Sequence, residues 1–164
     1  MNKVLDVAQY IFDEYKRQSK TEIDEMKLHK LLYFAQRESF AITGSPLFEG
    51  ELRGWKYGPV CCEVRNAFSP DGIVIDTSPV SDECAYIINN VVQEYGTIAS
   101  WKISEMSHKE ISWINSRKGL TAEQNGNNLI SIDDIREDAK KVRPYDHVWD
   151  MYYDEFDDYE EGND

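Results

Sequence analysis

Long apolar runs are missing from this chain of 164 residues, and so are clustered positive charge, a cysteine framework and glycine-rich phosphate loops. No stretch approaches the roughly 20 consecutive apolar residues that cross a bilayer, so no membrane role is expected. The start Met1-Asn2-Lys3-Val4-Leu5-Asp6 meets an acid too early for a secretory signal, which makes the cytoplasm the expected compartment. Three cysteines, adjacent at Cys61 and Cys62 with a third at Cys84, form neither a disulfide set nor a spaced zinc set; reduced thiols and no metal are expected. With 18 Lys and Arg against 31 Asp and Glu, the net charge of −13 disfavours direct binding to nucleic-acid phosphates and suits a basic partner.

Catalytic patterns are absent too. The chain has no GxSxG elbow and no HExxH pair. Its histidines, His29, His108 and His147, are scattered, and a triad of Cys61, His108 and an Asp would rest on residue counts alone. No calcium loop of the D-x-[DN]-x-[DN]-G kind occurs among the C-terminal acids. A protein that is not an enzyme, with no catalytic residue and no cofactor, is therefore expected.

What the chain does contain is a sufficient core. An apolar share of 41% over this length is enough for one domain that hides about 70% of its extended surface. The charge is uneven, because residues 145 to 164 hold nine acids and no Lys or Arg. This divides the chain into a helical domain over residues 1–144 and an acidic, aromatic tail over 145–164.

Apolar spacing predicts a mainly α fold, a compact bundle of five to six helices with a small β-hairpin or sheet. Val4, Leu5, Ala8, Ile11, Phe12 and Tyr15 line one face of a first helix. Thr21 or Asp24 is placed to cap a second, with Leu28, Leu31, Leu32, Ala35 and Phe40 as its stripe and Gly44 as its end. Glu51 to Tyr57 reads as extended, and Pro59 suits the first turn of a helix running to about Phe68. Ser69-Pro70-Asp71-Gly72 is a turn, and Ile73-Val74-Ile75 is a short strand that suits pairing with the earlier extended piece. Further helices are expected from Ser81 to Tyr95, from Ile98 to Met106, and from Ser131 to the basic residues before Pro144; residues 119 to 128 form a loop.

Three groups stand out within that frame. Lys27 and Lys30 sit beside the stripe of the second helix and are expected on a solvated face. Strand alternation sends Trp55 and Tyr57 to one side and Lys56 to the other; the aromatics either seal the sheet or offer an exposed platform for a partner. His108 and Trp113 read as a packed pair whose imidazole is satisfied by a backbone group.

The blocks L-H-K-L-L-Y-F at 28 to 34, G-S-P-L-F at 44 to 48 and W-K-Y-G-P-V at 55 to 60 occur in this order. They are followed by E-Y-G at 94 to 96, S-H-K-E-I-S-W at 107 to 113 and I-S-I-D-D-I at 130 to 135. Together they resemble the Panacea, or SocA-like, antitoxin domain family of phage-associated proteins, over roughly residues 3 to 141. His29 stands where Gln or Asn is common in that family, and Cys61-Cys62 where small or apolar residues are usual. The resemblance implies a helical antitoxin that binds a cognate toxin, encoded by a neighbouring gene, and holds it inactive. It also implies an alternative, an adaptor that delivers the toxin to an ATP-dependent protease. A third reading is a phage-encoded inhibitor of a host nucleic-acid enzyme, with the acidic tail imitating phosphates.

The tail supplies its own signal. Trp149, Tyr152, Tyr153, Phe156 and Tyr159 recur at helical spacing among acids. A segment of this composition is expected to fold only on binding, its rings entering a groove and its acids meeting Lys or Arg. Whether that groove belongs to a partner or to its own domain stays open at this stage. The expected partner-binding residues are Trp55, Lys56 and Tyr57 together with those five tail aromatics.

Overall fold

The structure, a computed structural model, describes residues 1–142; the expected tail, with Trp149, Tyr152, Tyr153, Phe156 and Tyr159, lies outside the described residues. The first helix, α1 (Val4–Ser19), buries Val7, Ala8, Ile11 and Phe12, and ends at Lys20 in the left-handed region, φ 66°. The second, α2 (Glu25–Thr43), is capped by Asp24, whose carboxylate accepts from Lys27 N at 2.8 Å, and is closed by Gly44 at φ 75°. Of the two cap candidates, Asp24 is therefore the one used.

Every residue of α2 from Lys27 to Phe40 is buried, because α1, the β-hairpin and three later helices surround it. These helices are α4 (Asp82–Tyr95), α5 (Ser100–Ser107) and α7 (Ile132–Ala139). Ser81 caps α4 by accepting from Cys84 N at 3.2 Å, and Ser131 caps α7 by accepting from Asp134 N at 3.4 Å. Leu28, Leu31, Leu32 and Ala35 meet Ile87, Ile88, Val91 and Ile103 in one core. Each such aliphatic side chain stabilises the fold by about 1.5 to 3 kcal/mol.

The mainly α reading holds, with seven helices among the described residues. A short α3 (Cys62–Ala67) and α6 (Ile111–Ser116) complete the set, and α6 was not foreseen. Three two-stranded pairs accompany the helices. β1 (Asn2–Lys3) runs parallel to β2 (Phe48–Glu49), β3 (Arg53–Trp55) is antiparallel to β4 (Gly58–Val60), and β5 (Phe68–Ser69) is antiparallel to β6 (Gly72–Ile73).

Two expectations change here. Pro59 belongs to β4 and not to a helix start. Its partner Gly54 turns both backbone groups away from β4, donating to Asn128 O at 2.9 Å and accepting from Arg117 at 3.0 Å. This is a position where no ladder donor is needed, so proline fits it. Ile73 pairs with Phe68 and not with the segment 51–57, because the Pro70-Asp71 turn closes locally at small entropic cost. Val74 is left 68% exposed.

The solvated face expected for Lys27 and Lys30 is also overturned, since α2 has no such face. Lys30 is 1% exposed and Lys27 6%. Lys27 Nζ donates to Gly96 O at the end of α4, at 2.9 Å, and to the Tyr15 hydroxyl at 3.3 Å, beside a cleft of about 340 Å³. An ammonium at a helix C-terminus opposes the carbonyl dipoles there. Cys61, Cys62 and Cys84 are free thiols.

Leu31→Ala is expected to lower unfolding free energy by about 2 to 5 kcal/mol in urea titrations followed by circular dichroism. Burial alone would raise the Asp138 pKa, but bonds from Ser112, the Ile111 amide and Tyr33 bring it below the ordinary carboxylate value. A depressed acid contributes stability above its unfolded pKa of about 4, and this is lost as pH falls through the folded value. Below pH ~4 the urea midpoint of the wild type is expected to fall more steeply than that of Asp138→Asn.

Candidate partner-binding surface

The hairpin β3–β4 stands on α5 and α6, and glycine is what lets it come so close. A Cβ on Gly54 would lie 1.8 Å from Ser116 Oγ of α6. Gly58 has φ 118°, and a Cβ there would lie 2.5 Å from Ser107 Oγ and 2.6 Å from Lys30 Cε. The Ser104 hydroxyl donates to Tyr57 O, and Trp113 Nε1 donates to Trp55 O at 2.8 Å. Beneath the hairpin, Lys30 Nζ donates to Pro59 O at 3.4 Å, and burial pushes its pKa down to about 8.

Lys56 and Tyr57 form the two-residue turn, so the expected strand alternation does not apply to them. The two aromatics take different roles. Trp55 is partly buried, with its indole N–H donating to Asn127 Oδ1 at 3.0 Å and the Arg65 guanidinium 5.1 Å above its ring. Tyr57 is 57% exposed, and Lys56 Nζ lies 5.0 Å from its ring centre. Trp55 seals the hairpin base and Tyr57 presents a ring to solvent.

The frame around the turn also carries charge. Arg117 lies 5.6 Å from the Trp113 ring and donates to the carbonyls of Gly54, Thr121, Gln124 and Asn125. Among the described residues no carboxylate pairs with Lys56 or Arg117, two basic side chains on a chain of net charge −13. Arg65, Trp113 and Arg117 were not singled out as neighbours of the turn. No local pattern could have done so, since they reach it from 58 to 63 residues away or from the next helix.

The two histidines among the described residues, His29 buried and His108 partly buried, are packed within the domain. His29 Nδ1 accepts from Cys61 N at 3.3 Å, which leaves the proton on Nε2 to be donated to Glu25 at 3.3 Å. Burial, with help from the Lys30 and Arg65 charges, pushes its pKa down to about 3, so the ring is neutral. His108 stacks on Trp113 with ring centres 4.1 Å apart, the packed pair read from sequence, but its Nε2 is buried without a hydrogen-bond partner among the described residues, so the expected full satisfaction of the imidazole by a backbone group is not met. Burial and the Lys30 charge lower its pKa. Among the described residues no helix is long and apolar enough to cross a membrane, and no cluster of three His, Cys, Asp or Glu is placed to hold a metal.

The sequence pattern described as "Antitoxin SocA-like, Panacea domain" matches residues 28–114, which is more than half of the chain and includes α2, the hairpin and Trp113. Antitoxin SocA of Caulobacter vibrioides (strain NA1000 / CB15N) is 42% identical over 50 residues, 30% of this chain and 27% of that protein. The matched stretch thus spans about a quarter of the relative's length. No solved structure matches.

Gly54→Ala is expected to destabilise by about 1 to 3 kcal/mol, because the added methyl meets Ser116 on a packed helix. Tyr57→Ala, at an exposed turn, is expected to stay within about 0.5 kcal/mol of the wild type in the same urea titration.

Proposed function

The chain belongs to the SocA-like, Panacea-domain antitoxin family, and from that premise we propose that it is the antitoxin of a toxin–antitoxin pair, neutralising its toxin by direct protein–protein binding. The observation that carries this reading is the matched domain, with an exposed tyrosine and a lysine that has no carboxylate partner among the described residues, on a turn that the rest of the domain fixes in place. Rigid aromatic side chains beside cations are the residue types that dominate binding hot spots, because little entropy is lost when they dock. Trp55 sets the turn from below, and Lys56 and Tyr57 make the contact. The five tail aromatics Trp149, Tyr152, Tyr153, Phe156 and Tyr159 add a second arm, their neighbouring acids meeting basic groups on the toxin.

Neutralisation of this kind asks for occupancy and not for chemistry, so the protein acts without a catalytic group or cofactor. Its partner is a protein from a neighbouring gene, met in the cytoplasm.

Co-expression with the product of each adjacent gene tests the proposal. One such product is expected to arrest growth alone and to be tolerated with this chain, forming a complex at unchanged toxin abundance. A fall in toxin abundance would mean delivery to a protease instead, and no toxic neighbour at all would end the antitoxin reading. Tyr57→Ala and Lys56→Glu are each expected to weaken the complex about 30-fold, the hot-spot range of 2 kcal/mol, as read by calorimetry.

A further inference from the structure

The turn of β3–β4 is a positively charged, ring-bearing surface on a negative protein, and the same chain carries a segment of opposite charge and matching rings. We propose that, before any partner arrives, the tail residues 145–164 occupy this surface of their own molecule, over Trp55, Lys56, Tyr57, Arg65, Trp113 and Arg117. The proposal concerns the same surface as the antitoxin reading but does not depend on a toxin.

Three observations point to this occupant. The first is charge. Lys56 and Arg117 have no carboxylate partner among the described residues, and Arg65 keeps half of its side chain exposed beside a single one, Glu25. The tail offers nine acids and no competing base. A nucleic acid or a separate acidic protein has the same sign, but both would be repelled by the remaining charge of the molecule.

The second is the place where the described chain stops. Lys141 Nζ lies 2.7 Å from Glu110, the residue that precedes α6, and Val142 ends the described chain. The described chain therefore ends beside the helix that carries Trp113 and leads into Arg117. At ~3.3 to 3.6 Å per residue, ten extended residues reach ~35 Å, enough to cross a domain of this size. A covalently tethered segment competes at an effective concentration of order mM, far above that of a free ligand.

The third is chemistry of contact. The surface already holds its cations against rings, with Arg65 on Trp55, Arg117 on Trp113 and Lys56 on Tyr57. The tail brings five more rings spaced between acids, so each docked ring finds aromatic or guanidinium neighbours while adjacent carboxylates find ammonium or guanidinium charge. A toxin with a basic face would compete for the tail and free the turn, so that one binding event exposes both arms.

Carbodiimide coupling of the full-length protein, read by mass spectrometry, tests this without a toxin. A zero-length amide between Lys56 and a tail carboxylate is expected, formed within one chain and with a yield that does not change on dilution. Trp149→Ala/Tyr152→Ala/Phe156→Ala, which keeps every tail acid, is expected to lose the bond several-fold with an unchanged circular dichroism spectrum, and so is the wild type at about 1 M salt, where the screening length falls to about 3 Å. Absence of the bond would overturn the proposal. So would an unchanged yield in the ring variant, or a bond found only between differently isotope-labelled chains.

Discussion

Arg37 of α2 and Glu110 at the head of α6 face each other as an ion pair almost wholly removed from water. Desolvating two charges costs several kcal/mol each, so such a pair persists only when other groups complete it. Here Arg37 also donates to the Tyr95 hydroxyl at 2.9 Å and stacks on Phe34, with 4.7 Å from the guanidinium carbon to the ring centre. Glu110 takes Lys141 on its second oxygen at 2.7 Å. Burial raises the Glu110 pKa, while Arg37 and Lys141 oppose that rise. Four elements are thus tied at one point.

A second buried contact fixes the same helices. The Asp138 carboxylate of α7 accepts from the Ile111 and Ser112 amides, capping α6 from another part of the chain, and from the Tyr33 hydroxyl at 2.9 Å. Short helices such as α6 are not stable alone, so this cap and the Arg37–Glu110 pair are what place α6. Since Trp113, Ser116 and Arg117 then hold the hairpin, the pose of the exposed turn is set by polar groups buried at the N-terminal end of α6. The burial of α2 on all sides is what makes these contacts worth their desolvation.

That arrangement relates order to function. In the neutralising role proposed above, a turn that projects a tyrosine and a lysine from a fixed frame loses little conformational freedom on docking, which favours holding a target through surface contact alone. The glycines at 54 and 58 serve this purpose because they bring the hairpin backbone onto α5 and α6, where Ser104, Trp113 and Arg117 can bond to it.

The local signals in the chain were strong enough to give most helices and their ends. Apolar period, the capping residues Asp24, Ser81 and Ser131, and Gly44 act within a few residues of themselves, so their meaning survives without the rest of the molecule. The ordered blocks of residues carried the family in the same way. Only the tertiary structure decided that Lys27 and Lys30 are internal, that Pro59 lies in a strand, that Ile73 turns back on Phe68, and that α6 exists. Each of those outcomes depends on which distant group lies alongside: a carbonyl at position 96 for Lys27, an arginine at 117 for Gly54, a carboxylate at 138 for α6. Contacts across such separations leave no period or spacing in the chain, because they are set by the packing of helices around α2 and not by neighbours in sequence.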